Sequence, residues 1–180
     1  MTKHPRSSCD RWRAAVPTDS LEGTEGVVDH YSRDVHVGPG DEPNAVFRRL
    51  EDRLLRYQIF PPRIMRAEVC SADGRIREGT TIVQDVALGP LHLEAAVRVL
   101  RVWQDQDGRT EEAGFAYATL KGHPERGVST FRIRRTPPGR ITFEVEARSR
   151  PGSLLTRLTR PLARRFQRRA TEAALAHFID

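Results

Sequence analysis

Hydrophobic and polar residues alternate along this chain with two different periods, and the change of period marks its parts. Val46, Phe47, Leu50, Leu54 and Tyr57 recur every three or four residues. Arg48, Arg49, Asp52, Arg53 and Arg56 lie mostly off that face, which predicts an amphipathic helix. Asp41 and Glu42 stand just before Pro43, where negative charge meets the positive end of a helix dipole. Phe60-Pro61-Pro62 then stops the helix, because the residue before a proline is pushed out of helical backbone. Upstream, residues 27–37 read as a weak strand closed by Gly38-Pro39-Gly40.

From residue 64 the period drops to two. Six strands are predicted, at 64–70, 80–88, 91–104, 112–121, 128–135 and 140–148. Their connectors are short and rich in Gly, Pro and Asp, so the strands should form an antiparallel meander; parallel crossovers need a dozen or more residues each. In the last strand Ile141, Phe143, Val145 and Ala147 share one face. The third loses its alternation around Leu100-Arg101-Val102, which predicts a bulge or a bend. Helical spacing returns after Gly152, with Ser153 as N-cap and a drifting apolar stripe through Leu158, Leu162, Phe166, Ala170 and His177. Pro161 should kink or restart that helix.

An open sheet must cover its apolar face, and the only long amphipathic element available is the one over residues 153–178. One helix does not fill a curved sheet of six or seven strands, so a pocket is expected between them. This order of elements resembles the helix-grip fold of START-like and birch-pollen-allergen-like (SRPBCC) proteins. The expected class is α+β, a curved antiparallel sheet wrapped around a long C-terminal helix. Ordinary α+β packing with a filled core is the alternative.

The stretch Gly114-Phe-Ala-Tyr-Ala-Thr-Leu-Lys-Gly-His-Pro-Glu-Arg-Gly127 carries a second resemblance. It is similar to the motif GFAYGTLPGHPE-x-GEE of a plant and bacterial family catalogued as a domain of unknown function, whose plant members are linked to the chloroplast outer envelope. Ser149-Arg150-Pro151, Pro161 and Gln167 fit the later part of the same pattern. Ala118, Lys121, Val128 and Ser129 depart from it, the last two where an acidic pair is expected.

Composition narrows the picture only a little. The chain has 180 residues, enough for one domain with one core. Residues 1–25 lack a sustained period and read as a flexible extension, with Trp12 the one residue suited to docking; residues 26–180 then form a single helix-grip domain. The net charge of +6 favours anionic partners in general. Two cysteines, Cys9 and Cys70, give no disulfide framework, which points to a reducing compartment and a cytoplasmic protein. No apolar run is long enough to span a membrane.

His123 and Glu125 are the candidate catalytic pair, as base and orienter, set against a purely structural part in the hairpin turn. Phe115, Tyr117, Thr119, Trp103, Phe131, Phe143 and Phe166 are the candidate ligand-binding residues, set against simple core packing. Arg157, Arg160, Arg164 and Arg168 form a basic face suited to a weak anionic membrane surface, or only to keeping a helix solvated. No aromatics are interleaved for stacking, so no specific nucleic acid is expected. No metal site and no cofactor are expected from the ligand spacings. The readings that remain are a binder of an apolar small molecule, a cyclase- or dehydratase-like enzyme of small-molecule metabolism using the same pocket, and a peripheral binder of anionic surfaces.

Overall fold

The six strands foreseen between residues 64 and 148 form one antiparallel run. They are β2 (Met65–Val69), β3 (Thr81–Leu88), β4 (Leu91–Asp107), β5 (Thr110–Thr119), β6 (Glu125–Thr136) and β7 (Arg140–Pro151), each paired with the next. The first strand, β1 (Val27–Val35), pairs antiparallel with β7, from Val27 opposite Ser149 to Val35 opposite Ile141. The sheet order is therefore β1-β7-β6-β5-β4-β3-β2. The computed structural model describes residues 8–21, 26–88, 91–151 and 160–179. With its curved seven-stranded sheet and C-terminal helix, it is an α+β helix-grip fold.

Alternation sorts the sheet into two faces. Ile82, Val97, Val99, Phe115, Phe131, Ile133, Ile141, Phe143 and Val145 are buried together on the inner face. The bulge expected in the long strand lies between Val99 and Arg101, where the pairing with β5 slips. The slip reverses parity over the rest of β4. Val102 packs on the inner core and Gln104 reaches Glu51 of the helix above it (2.6 Å), while Trp103 turns to the outer face with Ala116, Ala118 and Val128.

Two helices cover the inner face. Helix α2 (Pro43–Leu55) starts with Pro43 in its first turn, where a missing N–H costs nothing, and buries Val46, Phe47, Leu50 and Leu54. Arg48 joins it to the sheet end by binding Glu51 (2.9 Å) and Glu111 (2.7 Å), and Glu111 also takes Arg135 (2.8 Å). The C-terminal helix α3 (Arg160–Ile179) buries Ala170, Ala174, Leu175 and Phe178. The Phe178 ring lies 4.3 Å from that of Phe143. Arg53 of α2 donates to the carbonyls of His177 (3.0 Å) and Phe178 (3.1 Å), supplying donors and positive charge to the last turn of α3. Pro161 lies in the first turn of α3, a position that tolerates proline; the Ser153 cap lies outside the described residues.

The N-terminal segment corrects two expectations. A flexible extension does not describe residues 8–21, which contain the short helix α1 (Ser8–Trp12) and lie along the outer face. Trp12 donates its indole N–H to Glu94 (2.9 Å), and Arg98 reaches the carbonyls of Trp12, Arg13 and Ala15. Beyond it Pro17 bridges Leu120, Thr18 takes the Thr119 carbonyl (2.8 Å), and the nearly covered Asp19 carboxylate pairs with Arg150 (3.0 Å). Cys9 and Cys70, expected to be free thiols, form a disulfide with Cα atoms 5.6 Å apart. Sequence spacing could not pair them, because the segment's path across the sheet is a tertiary outcome. The pairing removes the ground on which a reducing compartment was inferred. Among the described residues no helix is long and apolar enough to cross a membrane.

Candidate functional site

Helix α2 ends in a way that places one side chain in the core. The Gln58 N–H bonds the Arg53 carbonyl (2.9 Å) and the Tyr57 N–H bonds that of Leu54 (3.0 Å), the paired closure that normally puts glycine at the left-handed position. Here that position is Tyr57, at φ 58°, and among the described residues it is the only non-glycine with positive φ. A side chain there costs about 1–2 kcal/mol. The helical stripe places Tyr57 within the helix; it lies just beyond the end instead, and so its ring points under α2 into the sheet.

The ring completes an aromatic box. Tyr57 lies 5.9 Å from both Phe60 and Phe115, Phe115 stacks on Phe131 at 5.2 Å, and Tyr117 lies 5.6 Å from Phe131. Phe60 is only half-buried, so the box reaches towards the surface on that side. Inside it is a polar group. Gln84 donates to the Tyr57 hydroxyl (2.6 Å), and the Tyr117 hydroxyl lies close to Tyr57, Gln84 and Ser129. Burial pushes both phenol pKa values up, Tyr57 well above the ordinary range, so both stay protonated and neutral.

The expected ligand-binding residues therefore divide. Phe115, Tyr117 and Phe131 come together in the box, and Phe143 lies farther along the same face against Phe178. Trp103 is a correction, since the bulge carries it to the outer face, where it covers Gly114 and donates to Glu112 (2.9 Å). The hydroxyl of Thr119 is already engaged, 2.6 Å from that of Thr18 and accepting the Gly127 N–H (3.2 Å). The side chains of Phe166, Arg160 and Arg164, and all of Arg157, lie outside what the structure describes; Arg168 is exposed. Gln84, Ser129, Tyr57 and Phe60 join the candidate site without having been read from the sequence as ligand-binding residues. Gln84 and Ser129 carry a signal, as polar residues at positions whose neighbours two away, Ile82 and Phe131, face the core. Of the two residues at the expected acidic pair, Ser129 faces Tyr117 on the inner side and Val128 packs on the outer side.

His123 belongs to the hairpin rather than to the box. Its Nδ1 lies 3.0 Å from both the backbone nitrogen and the carbonyl oxygen of Glu125, a contact to the main chain and not to the Glu125 carboxylate. Burial holds its pKa down, from 6.5 to about 4, so at neutral pH the ring is uncharged. The unfolded chain takes up this proton near pH 6.5 and the folded chain only near pH 4, so stability is lost as pH falls through that interval. Part of the residue still meets water. The loss is therefore expected at about 1–2 kcal/mol, below the ~3 kcal/mol of a fully realised shift. In His123→Gln the loss of unfolding free energy between about pH 7 and about pH 4.5, read from urea titrations, should shrink by that amount. Equal drops in the two proteins would assign the effect to other groups.

The model of a family described as a domain of unknown function, DUF1990, matches residues 20–177. A UPF0548 protein of Deinococcus radiodurans is 30% identical over 143 residues, covering 75% of this chain and 69% of its own length. Among solved structures, TTHA0849 from Thermus thermophilus superposes with a TM-score of 0.56 at 12% identity, covering 85% of this chain and 94% of that one. Norcoclaurine synthase from Thalictrum flavum superposes with a TM-score of 0.52 at 14% identity, covering 99% and 92%. At these identities the two structures show a shared fold.

Proposed function

The chain belongs to the DUF1990 family, and from that premise we propose that it binds an apolar, ring-bearing small molecule on the inner face of the sheet, at the aromatic box under the end of α2. The observation that carries this reading is Tyr57, a tyrosine where the backbone favours glycine, whose phenol joins Tyr117, Gln84 and Ser129 inside an aromatic box. A core built only for stability has no need of the buried Tyr117 and Gln84 and the half-buried Ser129 beside Tyr57, and leaving such a position strained costs free energy. Observed strain of this kind is a pointer to a site.

The groups present suggest what the ligand carries. Phe60, Phe115 and Phe131 offer ring faces and edges to an aromatic or other flat apolar body. The neutral phenols and the Gln84 amide suit one uncharged oxygen, a carbonyl or hydroxyl, better than a carboxylate. Binding without chemical change is favoured over proton transfer by the His123 contact, which commits Nδ1 to the main chain.

Native mass spectrometry of the protein purified from its own source tests the reading. A co-purifying apolar molecule is the supporting result. Tyr117→Phe should then weaken its binding about fivefold to tenfold, the worth of one hydrogen bond, while the melting temperature barely moves. If no molecule co-purifies and the fluorescent probe 8-anilinonaphthalene-1-sulfonate shows no saturable binding, the reading fails.

A further inference from the structure

The disulfide lies apart from the aromatic box, and its surroundings differ from those of a buried structural cross-link. Cys9 and Cys70 are both half-buried, and both line an open pocket of about 500 Å³ on the outer side of the molecule. Asp10, Arg13, Glu68 and Arg98 line the same pocket, so it is polar and wet. A reductant can approach the sulfurs without any opening of the sheet.

What the bond holds is equally specific. It ties α1 to the end of β2 across a separation of 61 residues. With Trp12 and Ala15, the two cysteines pack over Val83, Ala96 and Leu120, a small cluster separate from the inner core. The other ties of this segment to the sheet are made by side chains: Ser8, Trp12 and the exposed Arg11 meet Glu94, the Trp12 ring lies over Gly122, and Arg98 reaches three carbonyls. A helix of five residues has no stability of its own, and exposed ion pairs add little. The segment from Ser8 to Ala15 therefore depends on the cross-link, whereas the sheet and its inner core do not.

We propose that Cys9–Cys70 is a thiol–disulfide exchange site for a dithiol reductant, and that its reduction releases residues 8–15 from the outer face. One thiolate of the dithiol attacks a cystine sulfur. The S–S bond breaks, a mixed disulfide forms, and the departing thiolate takes a proton. The second thiol of the reductant then attacks that mixed disulfide. It leaves as a cyclic or intramolecular disulfide, and Cys9 and Cys70 remain as two thiols. Two electrons pass from the dithiol to the cystine. The reverse reaction, driven by a disulfide oxidant, closes the segment down again.

Trypsin cleavage after Arg11 and Arg13 reads the state of the segment. In the air-oxidised full-length protein both sites should be cut slowly. After dithiothreitol without denaturant they should be cut at least tenfold faster, since cleavage follows the population of the opened form. Hydrogen exchange should rise at the Ala15 amide, which bonds the Trp12 carbonyl, and stay unchanged in the strand amides of β5 and β6. Cys9→Ser/Cys70→Ser should be cut at the reduced rate with or without dithiothreitol. If that variant does not fold, the two redox states of the natural chain carry the test. Three results would each overturn the proposal: both thiols alkylated in the air-oxidised native protein, a bond that dithiothreitol reduces only in denaturant, or equal cleavage rates in the two states.

Discussion

Gly127→Ala is expected to lower the free energy of unfolding by about 3 kcal/mol, at the upper end of the range for overpacking. A Cβ at this position would overlap the carbonyl oxygen of Arg148 and sit 2.9 Å from the Ser149 Cα. These are backbone atoms of the neighbouring strand, so no side-chain rotation relieves them. The crowding has a cause. At the end of β5 the segment around Thr18 takes the Thr119 carbonyl, and the Gly127 N–H turns to the Thr119 hydroxyl instead. Gly127 is thus held on the β5 side by Thr119 while it lies opposite Ser149 of β7. A urea midpoint within about 0.3 M of the natural protein would show that the strands separate freely here, and would refute this account.

Phe143→Ala should cost about 4 kcal/mol, as expected for a fully enclosed aromatic ring. Neither Phe143 nor Phe178 exposes measurable surface, and the two rings are the main bond between sheet and terminal helix at this point. Truncating either ring leaves the other facing a void. A double-mutant cycle with Phe178→Ala should give a coupling of about 1 kcal/mol, the value of an aromatic pair beyond its buried area. Additive losses would mean that each ring is held by its other neighbours, and that α3 is gripped elsewhere.

The sheet was legible because its alternation is local. Phe115 and Tyr117, or Ile141 and Phe143, announce their shared face from two residues away, and short turns leave few ways to join the strands. Trp103 shows where that logic stops. One extra residue near Leu100 reverses parity, and although the irregularity could be seen, its exact site could not. Tyr57 was hidden for a different reason: helical spacing continues through it, while the left-handed turn that moves it normally advertises itself with glycine. Gln84 and Ser129 could be read as polar residues at core parity, yet only the pairing of four successive strands brings them to the tyrosines. The cysteine bridge had no local signal of any kind.

The order of the strands also bears on how the chain is made. β1 leaves the ribosome first, yet its only partner in the sheet is β7, the last strand. Until the meander is complete, β1 waits as a lone extended segment, which is the situation that invites pairing with another molecule. Asp29, Arg33 and Asp34 place charge along it on both sides. A nascent strand so decorated is poorly suited to stacking against copies of itself, and can remain solvated until its partner arrives.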